Sequence, residues 1–260
     1  MQGLEPSLPK PLFDMHCHLG FAPDAAAIAQ EVAARGEGML SCGVDPSRFA
    51  GEEVRYGSRS SVSPSSVRVG LGLHPWWVER VGAEGLGAFL DLLPEARFVG
   101  EIGIDRGARH GGNVSEQAEA FTRICRALTA HPGKVVSIHA VRSVDVVIDT
   151  LEATGALHGN VCILHWFSGT SQQLTRAVRA GCHISLGMFS LSTKRGKAYA
   201  RQVPAGKLLL ETDYPPEQGE PLGYEGMHAP LQRAAEQLAE ACGRDALEAA
   251  CAESKRLLGL

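Results

Sequence analysis

The sequence has no surplus of positive charge. Its 25 Lys and Arg face 29 Asp and Glu, for a net charge of −4 with His neutral. That excludes a broad basic face gripping nucleic acid nonspecifically, though not a cleft where cations and a few Arg hold phosphate locally. Long apolar runs are missing as well; none reaches the roughly 20 residues that span a bilayer. The opening Met1-Gln2-Gly3-Leu4-Glu5-Pro6 lacks the basic-then-apolar order of a secretory signal, so a cytoplasmic protein with no membrane partner is expected. Cysteine is present but never as a C-x-x-C pair. The seven residues Cys17, Cys42, Cys125, Cys162, Cys182, Cys242 and Cys251 are odd in number and scattered. They read as small buried side chains in a reducing compartment, not as a disulfide framework. No internal repeat and no linker divides the chain, so residues 1–260 are expected to form one domain, acting as a monomer.

What is present is a repeated alternation of strand, loop and helix. The length of 260 residues is near that of a single (β/α)8 barrel. Strands are predicted at Leu12–Asp14, Met39–Val44, Val67–Leu73, Ala96–Ile102, Lys134–His139, Val161–His165, Cys182–Leu186 and Lys207–Thr212. Helices are predicted over Ala25–Ala34, from a Ser115 cap to Ala130, and from a Ser143 cap to a stop at Gly155. Thr170-Ser171-Gln172-Gln173 has the form of a capping box for a helix closed by Gly181. The tail, from about His228 to Leu258, is helical with a break at Gly243. Ser58 to Ser66 reads as a loop, of ordinary connecting length. The alternation argues for one α/β barrel.

Metal-type side chains stand at the ends of these apolar runs, where a parallel barrel presents its chemistry. Asp14-Met15-His16-Cys17-His18 closes the first. Residues two apart in a strand share a face, so His16 and His18 point one way and Cys17 the other. Two imidazoles on one face can hold a cation, with Asp14 behind them orienting an imidazole or a loop. Glu101 sits in Val99-Gly100-Glu101-Ile102-Gly103-Ile104-Asp105, where glycines leave room and its two oxygens can bridge two cations. His139 follows Val135-Val136-Ser137-Ile138, and His165 follows Val161-Cys162-Ile163-Leu164. Asp213 ends Leu208-Leu209-Leu210-Glu211-Thr212; a carboxylate there can bind metal and accept a proton from water. Mixed nitrogen and oxygen donors suit divalent Mg, Mn or Zn. Trp76-Trp77 can either stack on a base or pack a rim, and Arg106, Arg109 and His110 can touch phosphate or stay solvated.

With these blocks in view the chain resembles the TatD family of metal-dependent hydrolases, in the amidohydrolase superfamily. The segments that carry the resemblance are Asp14-Met15-His16-Cys17-His18-Leu19, Gly72-Leu73-His74-Pro75, Val99–Asp105, Ile138-His139, His165-Trp166-Phe167-Ser168-Gly169, Leu210-Glu211-Thr212-Asp213 and Glu253-Ser254-Lys255-Arg256-Leu257-Leu258-Gly259. They run in family order along nearly the whole chain. The resemblance implies a distorted, amidohydrolase-like TIM barrel with two divalent metal ions. His16, His18 and Asp213 would hold one ion and His139 and His165 the other, with Glu101 bridging. It implies a deoxyribonuclease, often exonucleolytic on single-stranded ends, with DNA as the partner, His74 at the substrate phosphate and Glu211 beside the metals. The compact form also resembles a shorter TatD-like branch of bacterial antiphage systems.

Three departures bear on substrate. The Arg expected two residues after His139 is Val141, with Arg142 one place later as the candidate contact. The loop after the last strand reads Gln218-Gly219-Glu220-Pro221, not an Arg-Asn-Glu-Pro-like run. Arg106 follows Asp105 where many members have an aromatic residue. No Lys stands at the fourth-strand position to be carbamylated, which disfavours the phosphotriesterase-like branch. Two other readings remain at this point: a hydrolase of a small-molecule C–N or ester bond, and a metal-holding subunit active only in a complex.

Overall fold

The computed structural model describes residues 11–60, 65–108 and 113–260. Eight strands appear in it: β1 Phe13–Cys17, β2 Gly38–Cys42, β3 Val67–Gly70, β4 Phe98–Asp105, β5 Val135–Val141, β6 Val161–Leu164, β7 His183–Leu186 and β8 Leu208–Leu210. Ten α-helices follow or separate them: α1 Ala25–Ala34, α2 Phe49–Arg55, α3 Val78–Leu92, α4 Val114–Ala130, α5 Val144–Thr154, α6 Ser171–Arg179, α7 Met188–Leu191, α8 Lys194–Gln202, α9 Gly223–Cys242 and α10 Arg244–Leu258. None is long and apolar enough to cross a membrane, among the described residues.

All strand pairs are parallel, in two runs, β1-β2-β3 and β4 through β8. A single bridge, Leu71 to Val99, joins them. There the Leu71 N–H donates to Phe98 O at 3.0 Å and the Gly100 N–H to Leu71 O at 2.8 Å. Across the other seam the Asp213 N–H donates to His16 O at 2.8 Å and the His18 N–H to Tyr214 O at 2.7 Å. The fold is therefore a (β/α)8 barrel distorted at two seams. Glycine permits the first: a Cβ on Gly70 would lie 2.6 Å from Gly100 Cα, and one on Gly100 would lie 2.6 Å from Gly43 N. That close approach lets the Glu101 N–H reach Gly43 O and the Leu73 N–H reach Glu101 O, both at 3.1 Å. Glu101 is thus tied at its backbone to the loops after β2 and β3.

The apolar residues form two layers. The larger packs the strands against the helices. The smaller gathers Phe13 and Met15 of β1, Leu40 and Cys42 of β2, Phe98, Val135, Ile163 and Leu209, with Leu257 and Leu258 of α10. It takes side chains from six strands, so it fills the inside of the ring, mostly toward the strands' N-terminal end, with Cys42 at the C-terminal end of β2.

Helix ends differ from expectation in instructive ways. Thr170 forms the capping box with Gln173, and Gly155 ends α5 in the left-handed conformation. Ser143 stands at the N-cap of α5, but its hydroxyl donates to Ile104 O at 2.6 Å and does not cap the helix. The cap of α4 is Asn113, not Ser115, which lies inside the first turn. The final helices begin at Gly223, ahead of the expected His228, and break at Gly243 as the sequence suggests. Residues 61–64 of the Ser58–Ser66 stretch lie outside the described residues.

Candidate metal centre

Four strand ends converge on one carboxylate. Glu101, 2 % exposed, extends from β4 into the ring. Its Oε1 lies 2.6 Å from His139 Nδ1, 2.7 Å from His165 Nε2 and 3.1 Å from His74 Nε2. Its Oε2 lies 3.2 Å from His18 Nε2 and 3.5 Å from His16 Nε2. Asp213 Oδ1 faces the same two rings, at 3.1 Å from His18 and 3.4 Å from His16. The structure so brings together His16, His18, His74, Glu101, His139, His165 and Asp213. It does so through local devices. The register of β1 against β2 shifts between Asp14 and Cys17. Gly103, at φ 143, admits His139 O where a Cβ would stand 2.1 Å away. Asp213 takes a left-handed φ of 58.

The outer nitrogens of the rings decide what the inner ones can do. His18 Nδ1 lies 3.0 Å from Cys42 O, which can only accept, so the proton sits on Nδ1 and Nε2 can offer a lone pair to the centre. His16 Nδ1 pairs with Ser137 Oγ at 2.6 Å, again turning Nε2 inward. His74 is the opposite case. Its Nδ1 accepts from the Trp76 N–H at 3.1 Å, so its neutral ring carries a proton on Nε2 and faces the centre as a donor. Although His74 lies close enough to Glu101 and His139 to be grouped with them as a ligand, this tautomer makes it a hydrogen-bond donor instead. His139 meets carboxylates with both nitrogens, Glu101 at Nδ1 and Asp105 Oδ2 at 3.0 Å on Nε2.

The donor set fits divalent cations better than it fits protons. Glu101 Oε2 and His165 Nδ1 are buried without a hydrogen bond. Groups that could ligate together are His16, His18 and Glu101, and also His16, His165 and Asp213. Burial, then the neighbouring His165, pushes His16 down to about 4. Burial opposes charge on His18 as well, but pairing with Asp213 and Glu101 outweighs it and lifts the ring to about 10. His139 is lifted to about 9 against burial by Asp105 and Glu101. Burial would raise Glu101, yet the imidazoles around it, His74 and His165 first, hold it well below the usual carboxylate range. The carboxylates draw positive charge into a buried space, a role a metal ion fills directly.

Several expected residues take other places. The Asp14 carboxylate accepts from the Thr212 hydroxyl at 2.6 Å and from the Thr212 and His16 amides at 3.1 Å. Of its two expected roles, orienting an imidazole or a loop, it takes the second and braces the turn that leads to Asp213. Glu211 lies beside the centre as expected, its Oε2 3.9 Å from His165 Nδ1, but it does not line the cavity that a substrate would enter. It is fully buried, with Oε1 accepting from the Trp166 N–H at 2.7 Å and Oε2 from Ser185 Oγ at 2.5 Å. Burial raises it to about 7. It holds Trp166 at a φ of 41, a strain of about 1–3 kcal/mol for such a residue. Arg142 is corrected: it is exposed on a left-handed turn, φ 53, and it is Val141 that lines the cavity. Arg109 and His110 lie outside the described residues.

The cavity over the centre has a volume of about 820 Å³ and is walled by Phe21, Trp76, Trp77 and Trp166, with Arg48 and Arg80 at its rim. Both arginines escaped the sequence reading, since neither belongs to a strand end. Arg80 lies over the Trp77 ring, 3.8 Å from its centroid, and pairs with Asp45 at 3.0 Å. Asp105 escaped it as well. Its Oδ2 also accepts from Trp76 Nε1 at 2.6 Å and its Oδ1 from the Gly107 N–H at 2.6 Å, so it fixes His139 and Trp76 together. The signal was its position two residues after Gly103, on the Glu101 side of β4.

Barrel and centre together define a metal-dependent hydrolase. The family model for TatD-related DNases matches residues 13–256, and the chain belongs to that family. The metal-dependent hydrolase YjjV of Escherichia coli K12 is 29 % identical over 246 residues, covering 88 % of each chain. The 3'-5' ssDNA/RNA exonuclease TatD of Edwardsiella piscicida is 32 % identical over 150 residues, covering 55 % of this chain and 56 % of its own. The crystal structure of the E. coli TatD homologue YjjV matches with a TM-score of 0.69 and 24 % identity, over 96 % of this chain and 98 % of that one.

Proposed function

We propose that the protein hydrolyses phosphodiester bonds of DNA with divalent metal ions, working from single-stranded ends. The observation that carries this is the convergence of His16, His18, His139 and His165 on buried Glu101, with Asp213 facing His16 and His18, beneath an aromatic-walled cavity. His16, His18 and Asp213 would hold one ion, and His139 through Nδ1 and His165 would hold a second, with Glu101 between them. When bound, such ions supply Lewis-acid stabilisation of phosphoryl charge and make water easier to deprotonate. Mg and Mn suit phosphodiester oxygens, and Zn suits the imidazoles.

The chain's own groups do the rest. Asp213, which alone of the six is a quarter exposed at its side chain, faces the cavity and takes the proton of the attacking water. His74 directs its Nε2–H toward a phosphate oxygen, its tautomer held by the Trp76 amide. Asp105 keeps the His139 ring turned so that Nδ1 faces Glu101. The walls around the cavity exclude bulk water and accept a flat, partly apolar substrate group.

The test is digestion of end-labelled single- and double-stranded DNA with Mg²⁺, Mn²⁺, Zn²⁺ or chelator. A ladder shortening from one end of the single strand, abolished by chelator and weakened steeply by salt, is expected. Turnover of small esters or amides with no cleavage of DNA would replace this reading with small-molecule hydrolysis.

A further inference from the structure

Four large apolar side chains are exposed among the described residues, and Trp76 and Phe189 are two of them. Trp76 lines the cavity, and its indole N–H is engaged with Asp105. Phe189 is 52 % exposed, and its ring stacks on Trp166 of the cavity wall, centroids 6.0 Å apart and planes 28° from parallel. A single exposed ring is ordinary on a protein surface. This one differs in how it is held and in what lies beside it.

Phe189 is presented by α7, a single turn whose Leu191 is fully buried and which packs against α8 and α9. Trp166 is fixed by the bond from its N–H to buried Glu211. The pair is therefore a rigid step leading outward from the cavity. Beyond it the chain passes through exposed Ser192 and Thr193 to exposed Lys194 and Arg195 at the start of α8. Arg195 donates to Ser168 O at 2.8 Å, and Ser168 lines the same cavity. An aromatic face followed by positive charge is the pattern that a single nucleic-acid strand takes, base on ring and phosphate on cation.

We propose that Trp166 and Phe189 form a stacking platform for an unpaired base of the substrate strand, adjacent to the phosphate held in the cavity. Exposed Lys194 is the cation for the next phosphate along, since the Arg195 guanidinium is held by Ser168 O, Gly169 O and the Tyr199 hydroxyl. The inference rests on the DNase reading above and adds to it a source of strand preference. A base inside a duplex has both faces covered, so a base must leave the stack before Phe189 can take its place beside it.

The experiment compares wild type with Phe189→Ala and Phe189→Trp on single-stranded oligonucleotides, with Val54→Ala as an exposed apolar control on α2. Phe189→Ala is expected to raise KM about 10-fold and change kcat less than about two-fold, and Phe189→Trp to restore KM. Oligonucleotides with one abasic residue near the cleaved end should raise the wild-type KM by the same factor and leave that of Phe189→Ala unchanged. Separately, an oligonucleotide carrying 2-aminopurine at that position, titrated in chelator, should be quenched by wild type and not by Phe189→Ala. A KM for Phe189→Ala within about two-fold of wild type, or abasic and Phe189→Ala losses that multiply, overturns the platform while leaving the nuclease intact. Should wild type cleave no oligonucleotide, the DNase reading fails. The platform then stands if quenching depends on Phe189 and falls if it does not.

Discussion

The two ends of the barrel are built from the same strands and have opposite chemistry. At the lower end β1 contributes Phe13 and Met15, β4 Phe98, β5 Val135, β6 Ile163 and β8 Leu209, closed over by Leu257 and Leu258. At the upper end the same strands, within a few residues, give His16 and His18, Glu101, His139, His165 and Asp213. The lower end satisfies itself by burial of apolar area, which needs no particular partner. The upper end, Asp213 apart, is buried too but leaves Glu101 Oε2 and His165 Nδ1 without hydrogen bonds. One end can thus carry stability while the other is kept polar and incompletely satisfied for chemistry. Substitutions at the two ends should separate accordingly.

The largest effect is expected from Glu101→Ala. It removes the one carboxylate that all the inward imidazoles share. Metal content after reconstitution should fall, and cleavage should drop by about 10³-fold or more, as for loss of a central electrostatic group. Dialysis of wild type against chelator should match it in activity. Full metal content and activity in Glu101→Ala would dissolve the contrast, because the upper end would then be as indifferent to its polar residues as the lower.

Leu209→Ala breaks the other end. Leu209 is fully buried in the lower cluster. Its truncation should cost about 2–5 kcal/mol of stability, read as a lower midpoint in denaturant. Metal content and turnover below the transition should stay near wild type. A loss of metal from folded Leu209→Ala would show the two ends to be coupled.

Asp213→Asn tests the chemistry with less damage to the centre. The amide keeps the shape, but it is a weaker ligand and no base. Single-turnover cleavage at saturating metal should slow by about 10²-fold, with DNA binding retained. Lost binding with an intact chemical step would move Asp213 to substrate positioning.

The sequence made the comparison legible where residue type and local pattern coincide. Glu101 and His139 stand late in apolar runs and His165 and Asp213 follow them, so both the fold and the gathering of these residues could be read from it. What could not be read depends on partners distant in sequence. Glu211 and Asp105 look alike as strand-end acids, yet Glu211 is consumed by Trp166 and Ser185, and Asp105 reaches His139. Arg142 is turned outward by its backbone, and Arg48 and Arg80 come from helical segments that carry no motif. The helices α3 and α8 went unanticipated for a local reason. Gly82, Gly85 and Gly87 dilute α3, with Gly82 itself non-helical, and Gly196 interrupts the pattern of α8.

The smallest effect should come from Cys17→Ala, although Cys17 stands between His16 and His18. Strand alternation alone sends its thiol away from the two imidazoles. In the structure the register shift in β1 could have cancelled that rule, but Sγ lies 3.8 Å from Met39 Sδ and 3.5 Å from Leu40 O, on the helix-facing side. Burial pushes the thiol well above its ordinary range, which works against a thiolate there. Removing one sulfur from a tight apolar contact should cost about 1 kcal/mol of stability. Metal content and cleavage should match wild type. A folded Cys17→Ala protein that fails to take up metal would place the thiol on the site side of β1, and the boundary between the two chemistries would then run through the strand differently from the one drawn by His16 and His18.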